Sequence, residues 1–295
     1  MEWLYKFPSM QDGALRDLKK MIDEGFRAFT RAYGGSIEGF FTPLQHFLIA
    51  VDRFMTQTPW PVILVIILAL VWFASRSLKI MAICLVTLML IGYFDMWTDT
   101  MRTISMIFVC TLLSIAIGLP AGILMARSDR VQRVVNPILD VMQTMPSFVY
   151  LIPVVMLLGI GRVPGLIAVV IYAIPPMIRL TNLGIRLVDR DVLEAADAFG
   201  ADRRQKLLKV QLPLALPTIM AGINQTIMMA LAMVVIASMI GVQGLGQPVL
   251  KAIANQYFTL GIFNGLAIVG IAIMFDRVSQ AYGQRLQKHR EIVHG

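Results

Sequence analysis

From Gln211 to Leu250 the chain runs for 40 residues without a charged side chain. As one helix that run would measure about 60 Å, twice the roughly 30 Å hydrocarbon core of a bilayer. No interior break permits two crossings, but Gly241-Val-Gln-Gly244-Leu-Gly246-Gln-Pro248 is dense in helix-ending residues. The run therefore reads as one span ending near Ile240, followed by a Gly-rich loop or re-entrant segment. Four further stretches are uncharged: Thr103–Ala126 and Ala252–Phe275 for 24 residues each, Val141–Ile160 for 20 and Val163–Ile178 for 16. Pro61–Ala74 and Ile80–Phe94, of 14 and 15 residues, are separated by Arg76 and Lys79. A charge at the bilayer centre costs about 3 kcal/mol, so the chain should turn there in a tight hairpin of two spans. The expectation is an all-α integral membrane protein with about seven transmembrane helices over residues 60–279.

Composition agrees. The chain is 57% hydrophobic and 15% charged, against about 25% charged in soluble domains, which excludes an ordinary soluble fold and a disordered chain alike. Its net charge of +8 raises the question of nucleic acid, which the placement of the charges answers. With the N-terminus outside and the C-terminus inside, inner segments hold 16 of the 26 basic residues. These are Arg76 and Lys79, then Arg127, Arg130 and Arg133, the Arg179–Lys209 stretch, and Arg277, Arg285, Lys288 and Arg290 of the tail. Outer loops hold Arg102, Arg162 and Lys251, and seven bases in the first 59 residues are balanced by seven acids. That is the positive-inside pattern of a multi-pass membrane protein, and no nucleic-acid partner is expected.

Cys84 and Cys110 lie in apolar runs without CxxC or Cys/His spacing, which points to inert thiols and no metal site. His46 stands alone. Residues 1–20 carry Glu2, Lys6, Asp12, Arg16, Asp17, Lys19 and Lys20 and no apolar core of a cleavable signal. Residues 1–59 form a separate amphipathic segment: Leu15, Leu18, Met21, Ile22, Phe26 and Phe29 follow steps of three and four, one helix face. A second aromatic stretch, Phe40, Phe41, Phe47 and Phe54, is interrupted by Pro43. The segment either lies in the outer headgroup layer or braces the bundle.

The longest charged interval after the N-terminal segment is the loop over residues 186–213. Asp189 or Asp191 can cap a helix entering at Val192, and Ala195, Ala196 and Ala198 give that helix a small profile. Gly200 suits the left-handed residue that ends it. Asp202 can cap a second short helix, which Pro213 closes or converts into the next span. Two short helices at an angle result, or otherwise a plain solvated connector.

The pattern Glu194-Ala195-Ala196, three residues, Gly200, nine residues, Val210-x-Leu212-Pro213 resembles the EAA motif of permease subunits of binding-protein-dependent ABC importers, with Val210 where the family has Ile. Other stretches resemble the glycine betaine/proline/choline permeases: Gly118-Leu-Pro-Ala-Gly122, Leu139–Pro153, Lys209–Thr226 and Met233–Gly241. The tail from Tyr282 resembles the choline branch. The resemblance implies a type I ABC importer permease fold in a bacterial cytoplasmic membrane, and an importer of quaternary ammonium compounds, choline first and glycine betaine second. It also implies that loop 186–213 docks on a cytoplasmic ATP-binding subunit through Glu194, Ala195, Ala196, Gly200, Arg203, Arg204, Leu212 and Pro213, with Lys206 beside them. Two permease copies and a periplasmic or lipid-anchored substrate-binding protein complete the assembly so implied.

No Gly-x-x-x-x-Gly-Lys-[Ser/Thr] phosphate loop occurs, so ATP and Mg are expected on a partner chain and no cofactor on this one. No catalytic residue is expected. Polar groups in the spans are candidates for a translocation pathway: Gln143, Thr144, Phe148, Tyr150, Asn224, Gln225 and Ser238. Aromatic faces and neutral dipoles suit a quaternary ammonium, which cannot donate hydrogen bonds. The same amides and hydroxyls could instead only join helices. Asp140 is expected at the inner rim beside Arg133. Pro120, Pro146, Pro153 and Pro175-Pro176 could be hinges or ordinary membrane-helix prolines. An amino-acid importer of the same architecture and a lone secondary carrier are the competing readings. The second would be expected to carry mid-span acids, which the drawn spans lack.

Overall fold

The computed structural model describes residues 10–294, with side chains through Arg285. Glu2 and Lys6 of the N-terminal segment, and the side chains of Lys288 and Arg290 in the basic tail 280–295, lie outside the described residues. All regular structure among the described residues is helical. Helix α1 (Asp12–Gln57) is followed by α2 (Trp60–Ser75), α3 (Leu78–Tyr93), α4 (Trp97–Arg127), α5 (Asp129–Thr144), α6 (Leu151–Leu158) and α7 (Arg162–Arg186). The loop helices α8 (Arg190–Ala198) and α9 (Arg203–Gln205) lead into α10 (Leu212–Ala237), α11 (Gly246–Asn255) and α12 (Phe258–His294).

Each of the seven apolar stretches becomes helical, but they do not cross alike. Four helices are long and apolar enough to span a membrane alone: Trp97–Arg127, Arg162–Arg186, Arg203–Ile240 and Phe258–Arg285. The number rises to six if each of two sharply bent pairs is one span. Helices α2 and α3 have 16 residues each, about 24 Å, short of the bilayer core. Arg76 turns the chain between them in a left-handed conformation (φ 50°), where the charges place the hairpin.

Val141–Ile160, drawn as one crossing, is instead broken. Helix α5 starts at Asp129, capped by Ser128, and bends by 111° into the Ser147–Leu158 limb. Pro146 forces the break: the residue before a proline is pushed out of the helical region, and Met145 is extended (φ −68°, ψ 134°). Pro120, Pro153 and the Pro175-Pro176 pair sit inside unbroken helices. The last span also starts later than Ala252, because Gln256 adopts a left-handed conformation (φ 58°) and separates α11 from α12.

Helix α7 is the centre of the bundle, packed between α4 and α10. Glycines allow the close approach. A Cβ on Gly122 of α4 would lie 2.7 Å from the Ile178 carbonyl oxygen, and one on Gly184 of α7 3.1 Å from that of Ala215. Small residues at such crossings let membrane helices gain dispersion contacts that lipid cannot supply. Leu166, Val169, Ala173 and Met177 of α7 are fully buried there.

Helix α1 runs without interruption through Pro43, 46 residues or about 69 Å. Its packing differs along its length. Residues 11–33 are mostly exposed, whereas Leu44, Leu48, Val51 and Met55 pack on the bundle core. An ion pair pins this end: Asp52 meets Arg162 at 2.7 Å, and Arg162 also donates to Gln243 at 2.5 Å. The Asp52 side chain is 13% exposed and that of Arg162 34%, so Asp52→Ala would leave a half-buried guanidinium with Gln243 as its remaining partner. Losing one partner of such a pair costs about 1–3 kcal/mol. The expected outcome is faster tryptic cleavage within α1 and a lowered melting temperature in detergent, with Asp52→Asn intermediate.

Candidate functional site

The loop over residues 186–213 folds as one short helix, α8, and a bend held by local hydrogen bonds, after which the expected second short helix is the start of a helix continuous from Arg203 through α10. The Asp189 side chain caps α8 by accepting from the Asp191 amide at 3.0 Å, so the helix opens at Arg190, two residues before Val192. Its far end closes with paired reverse bonds: Gly200 N–H donates to the Asp197 carbonyl at 2.9 Å and Ala201 N–H to that of Ala196 at 3.0 Å. This pairing needs a left-handed residue at the bend, and Gly200 has φ +77°. Asp202 then caps α9 in a reciprocal box with Gln205. A π-helical stretch, Lys206–Gln211, feeds into α10 at Leu212-Pro213.

One face of α8 is apolar, although charged Asp191, Glu194 and Asp197 are exposed beside it. Val192, Ala195, Ala196 and Phe199 follow steps of three and four, which fall on one face. Phe199 is 93% exposed. Glu194, Ala195, Gly200, Arg203 and Arg204 are exposed, and Ala196, Leu212 and Pro213 half-buried. Glu194, Arg203 and Arg204 make no ion pair among the described residues, but Lys206 pairs with Asp197 across the bend. Lys206 is thus a strut of the loop rather than a free contact at its edge. Phe199 is the residue that reading by motif passed over. Its signal was an aromatic residue beside the glycine expected to end the helix.

The pathway candidates separate into two groups. Gln143, Thr144, Phe148 and Gln225 are exposed on the protomer. The other three are occupied by packing. The Tyr150 hydroxyl donates to the Met142 carbonyl, and its ring stands edge-on to Tyr172 at 5.8 Å. Ser238 is buried and donates to the Val234 carbonyl at 3.2 Å. Asn224 donates to Asp276 at 3.0 Å and accepts from Ser279 at 2.6 Å, joining α10 to α12. Asp276 directly follows the uncharged run Ala252–Phe275. The structure continues α12 through it and leaves it half-buried. Asp140 pairs with Arg179, not with Arg133, because α7 passes beside α5 at that level.

The Gly241–Gly246 segment is packed into the bundle. Val242 and Leu245 are fully buried, Leu245 N–H donates to the Thr103 hydroxyl at 2.9 Å, and Gly161 N–H donates to the Ile240 carbonyl at 3.0 Å. The segment plugs the space where α4 and α7 begin. Among the described residues no group of His, Cys, Asp and Glu could hold a metal ion.

Residues 118–288 match the family described as binding-protein-dependent transport system inner membrane component. The chain is 45% identical over 267 residues to the glycine betaine/proline betaine transport system permease protein of Escherichia coli, covering 90% of this chain and 75% of that one. It is 46% identical over 255 residues to the glycine betaine/carnitine transport permease protein of Listeria monocytogenes, covering 84% and 90%. A choline transport system permease protein of Bacillus subtilis is 32% identical over 180 residues, covering 61% and 82%. The fold resembles a chain of the inward-facing MetNI methionine ABC transporter, with a TM-score of 0.58 at 22% identity, covering 63% of this chain and 93% of that one.

Proposed function

Since the chain belongs to the family of binding-protein-dependent transport system inner membrane components, we propose that it is the membrane-spanning permease of an ATP-driven importer of quaternary ammonium compounds, glycine betaine and proline betaine ahead of choline. The loop over residues 186–213 carries the reading. Its apolar stripe of Val192, Ala195, half-buried Ala196 and Phe199 has the profile that enters a groove on a partner. Aromatic side chains at such a centre supply most of the binding energy, and Glu194, Arg203 and Arg204 lie around it to fix register. The partner is a cytoplasmic ATP-binding subunit that holds ATP and Mg. Its closure on ATP moves α8, and the loop's capped ends pass that motion to α7 and α10 as a rigid unit.

The ordering of substrates follows the relatives, since betaine permeases match at 45% and 46% identity and the choline permease at 32%. Gln143, Thr144, Phe148 and Gln225 line the pathway in this reading, offering an aromatic face and neutral dipoles. Selectivity then rests largely with a separate substrate-binding protein on the outer side. A second permease copy covers the exposed stripe of Val131, Val134, Ile138 and Val141 on α5, whose members are 36–65% exposed. The termini lie with the N-terminus outside and the C-terminus inside.

Proteoliposomes holding the permease, its ATP-binding subunit and its binding protein are expected to accumulate labelled glycine betaine only with internal ATP, and unlabelled choline should compete less well than proline betaine. Uptake without the ATP-binding subunit would overturn the reading in favour of a secondary carrier. Competition by an amino acid but by no betaine would reassign the substrate.

A further inference from the structure

A groove of about 700 Å³ lies between α1, α2, α4 and α12, with Phe54, Leu70, Ala74, Phe108 and Phe275 among its lining residues. The lining holds no polar or charged side chain. The volume falls in the roughly 300–1,000 Å³ range of small-ligand sites. It opens to the outside of the bundle, where Phe54, Leu70 and Phe108 are about half exposed or more. The bend of 112° between α1 and α2 makes it a wedge: α1 turns away and leaves α2 unable to close on α4. A wedge of this kind at membrane depth is filled by hydrocarbon.

One end of the groove is cationic. Arg76 follows lining residue Ala74 by two positions and rests its guanidinium 5.6 Å from the Phe73 ring centre and 5.9 Å from that of Trp72. Arg285 reaches back from α12 to donate to the Phe73 carbonyl at 2.7 Å. Arg277 adjoins lining residue Val278, and Lys79 opens α3. None of the four is in an ion pair among the described residues. The acid at that level, Asp276, already accepts from Asn224 and Gln280. The Arg285 tie uses one nitrogen, and a guanidinium has five N–H donors in a fork suited to phosphate.

We propose that the groove is a binding site for one anionic phospholipid, with an acyl chain along the wedge and the phosphodiester on Arg76 and Arg285. Aromatic and aliphatic walls take the chain, and an unpaired basic cluster at the membrane surface takes an anionic headgroup. The lipid then completes the contact that α1 and α2 fail to make. The proposal rests on the membrane placement of the chain and not on the identity of the transported solute.

Native mass spectrometry of the purified full-length permease, with palmitoyl-oleoyl phosphatidylglycerol or phosphatidylcholine in the detergent, tests it. The expected result is one retained phosphatidylglycerol per chain, bound about tenfold more tightly than phosphatidylcholine, whose phosphodiester is the same but whose choline cation meets the basic cluster, at about 1 kcal/mol per nearby Lys or Arg. Arg76→Gln with Arg285→Gln should erase that preference while the apolar groove still takes either lipid weakly. Ala74→Trp, which fills the groove, should remove the retained lipid. An unfilled wild-type groove, or equal retention by wild type and Ala74→Trp, would overturn the site. So would an Ala74→Trp protein whose oligomer dissociates with lipid retention unchanged, because a second copy would then be the occupant.

Discussion

Gly200→Val is expected to abolish uptake while the permease still reaches the membrane, with ATP hydrolysis no longer stimulated by the loaded binding protein. The backbone at Gly200 is left-handed, φ +77°, which costs an ordinary residue about 1–2 kcal/mol and a β-branched one more. That strain falls on the two bonds that close α8, from Gly200 to Asp197 and from Ala201 to Ala196. Relieving it straightens the bend and re-aims Phe199, one residue away. Gly200→Asn, which tolerates the conformation, should keep most of the uptake. Phe199→Ala leaves the backbone alone and removes the 93% exposed ring. Truncating a central aromatic anchor costs about 2 kcal/mol or more, so affinity for the ATP-binding subunit, measured in detergent, should drop at least ~30-fold. Glu194→Ala should lose less, because its carboxylate lies in solvent beside the apolar stripe. Coupled uptake at the wild-type rate by Gly200→Val would show that α8 does not carry the signal.

The second large effect is on assembly of the bundle itself. Gly122→Val places atoms where α4 and α7 touch: even a Cβ would sit 2.7 Å from the Ile178 carbonyl oxygen and 2.8 Å from the Thr181 methyl. A backbone oxygen cannot rotate away as a side chain can, so α4 must move off the central helix. Overpacking of this kind costs about 1–3 kcal/mol for a methylene or two, and roughly 2–4 °C of melting temperature for each kcal/mol in a protein near this size. Gly122→Ala should therefore melt several degrees lower despite its better helix propensity, and Gly122→Val should fail to accumulate as folded protein. Gly265→Ala in α12, where nothing lies within 4 Å of the added Cβ, is the matched control and should melt no lower than wild type. Equal stability of Gly122→Ala and Gly265→Ala would remove close backbone approach as the reason for α4–α7 packing.

Much of the loop over residues 186–213 could be read before any coordinates because its structure is local. Asp189, Gly200, Asp202 and Pro213 act on backbone groups within four residues of themselves, and each does what its residue type favours. The pathway candidates were harder to read. Gln143 and Gln225 remain exposed, but Asn224 and Ser238 are drawn into packing by Asp276, Ser279 and the α10 backbone. A polar residue in an apolar run looks the same whether it faces a lumen or a neighbouring helix. The kink at Met145–Pro146 was present in the sequence as a proline, but so were Pro120, Pro153 and Pro175-Pro176, which bend nothing sharply. Neighbouring helices re-satisfy the freed carbonyls at some membrane prolines and not at others.

The 40-residue run without a charge thus determined by itself that this chain lives in a bilayer, and the scatter of arginines and lysines gave its expected orientation. Both follow from transfer energies that each residue carries wherever it sits. The run could not say that its Gly-rich end would be plugged between α4 and α7, with Val242 and Leu245 buried. Nor could it say that Asp52 would reach Arg162, 110 positions away, or that α1 and α2 would diverge into an open wedge. Those features depend on which helices become neighbours, and only the packed bundle sets that.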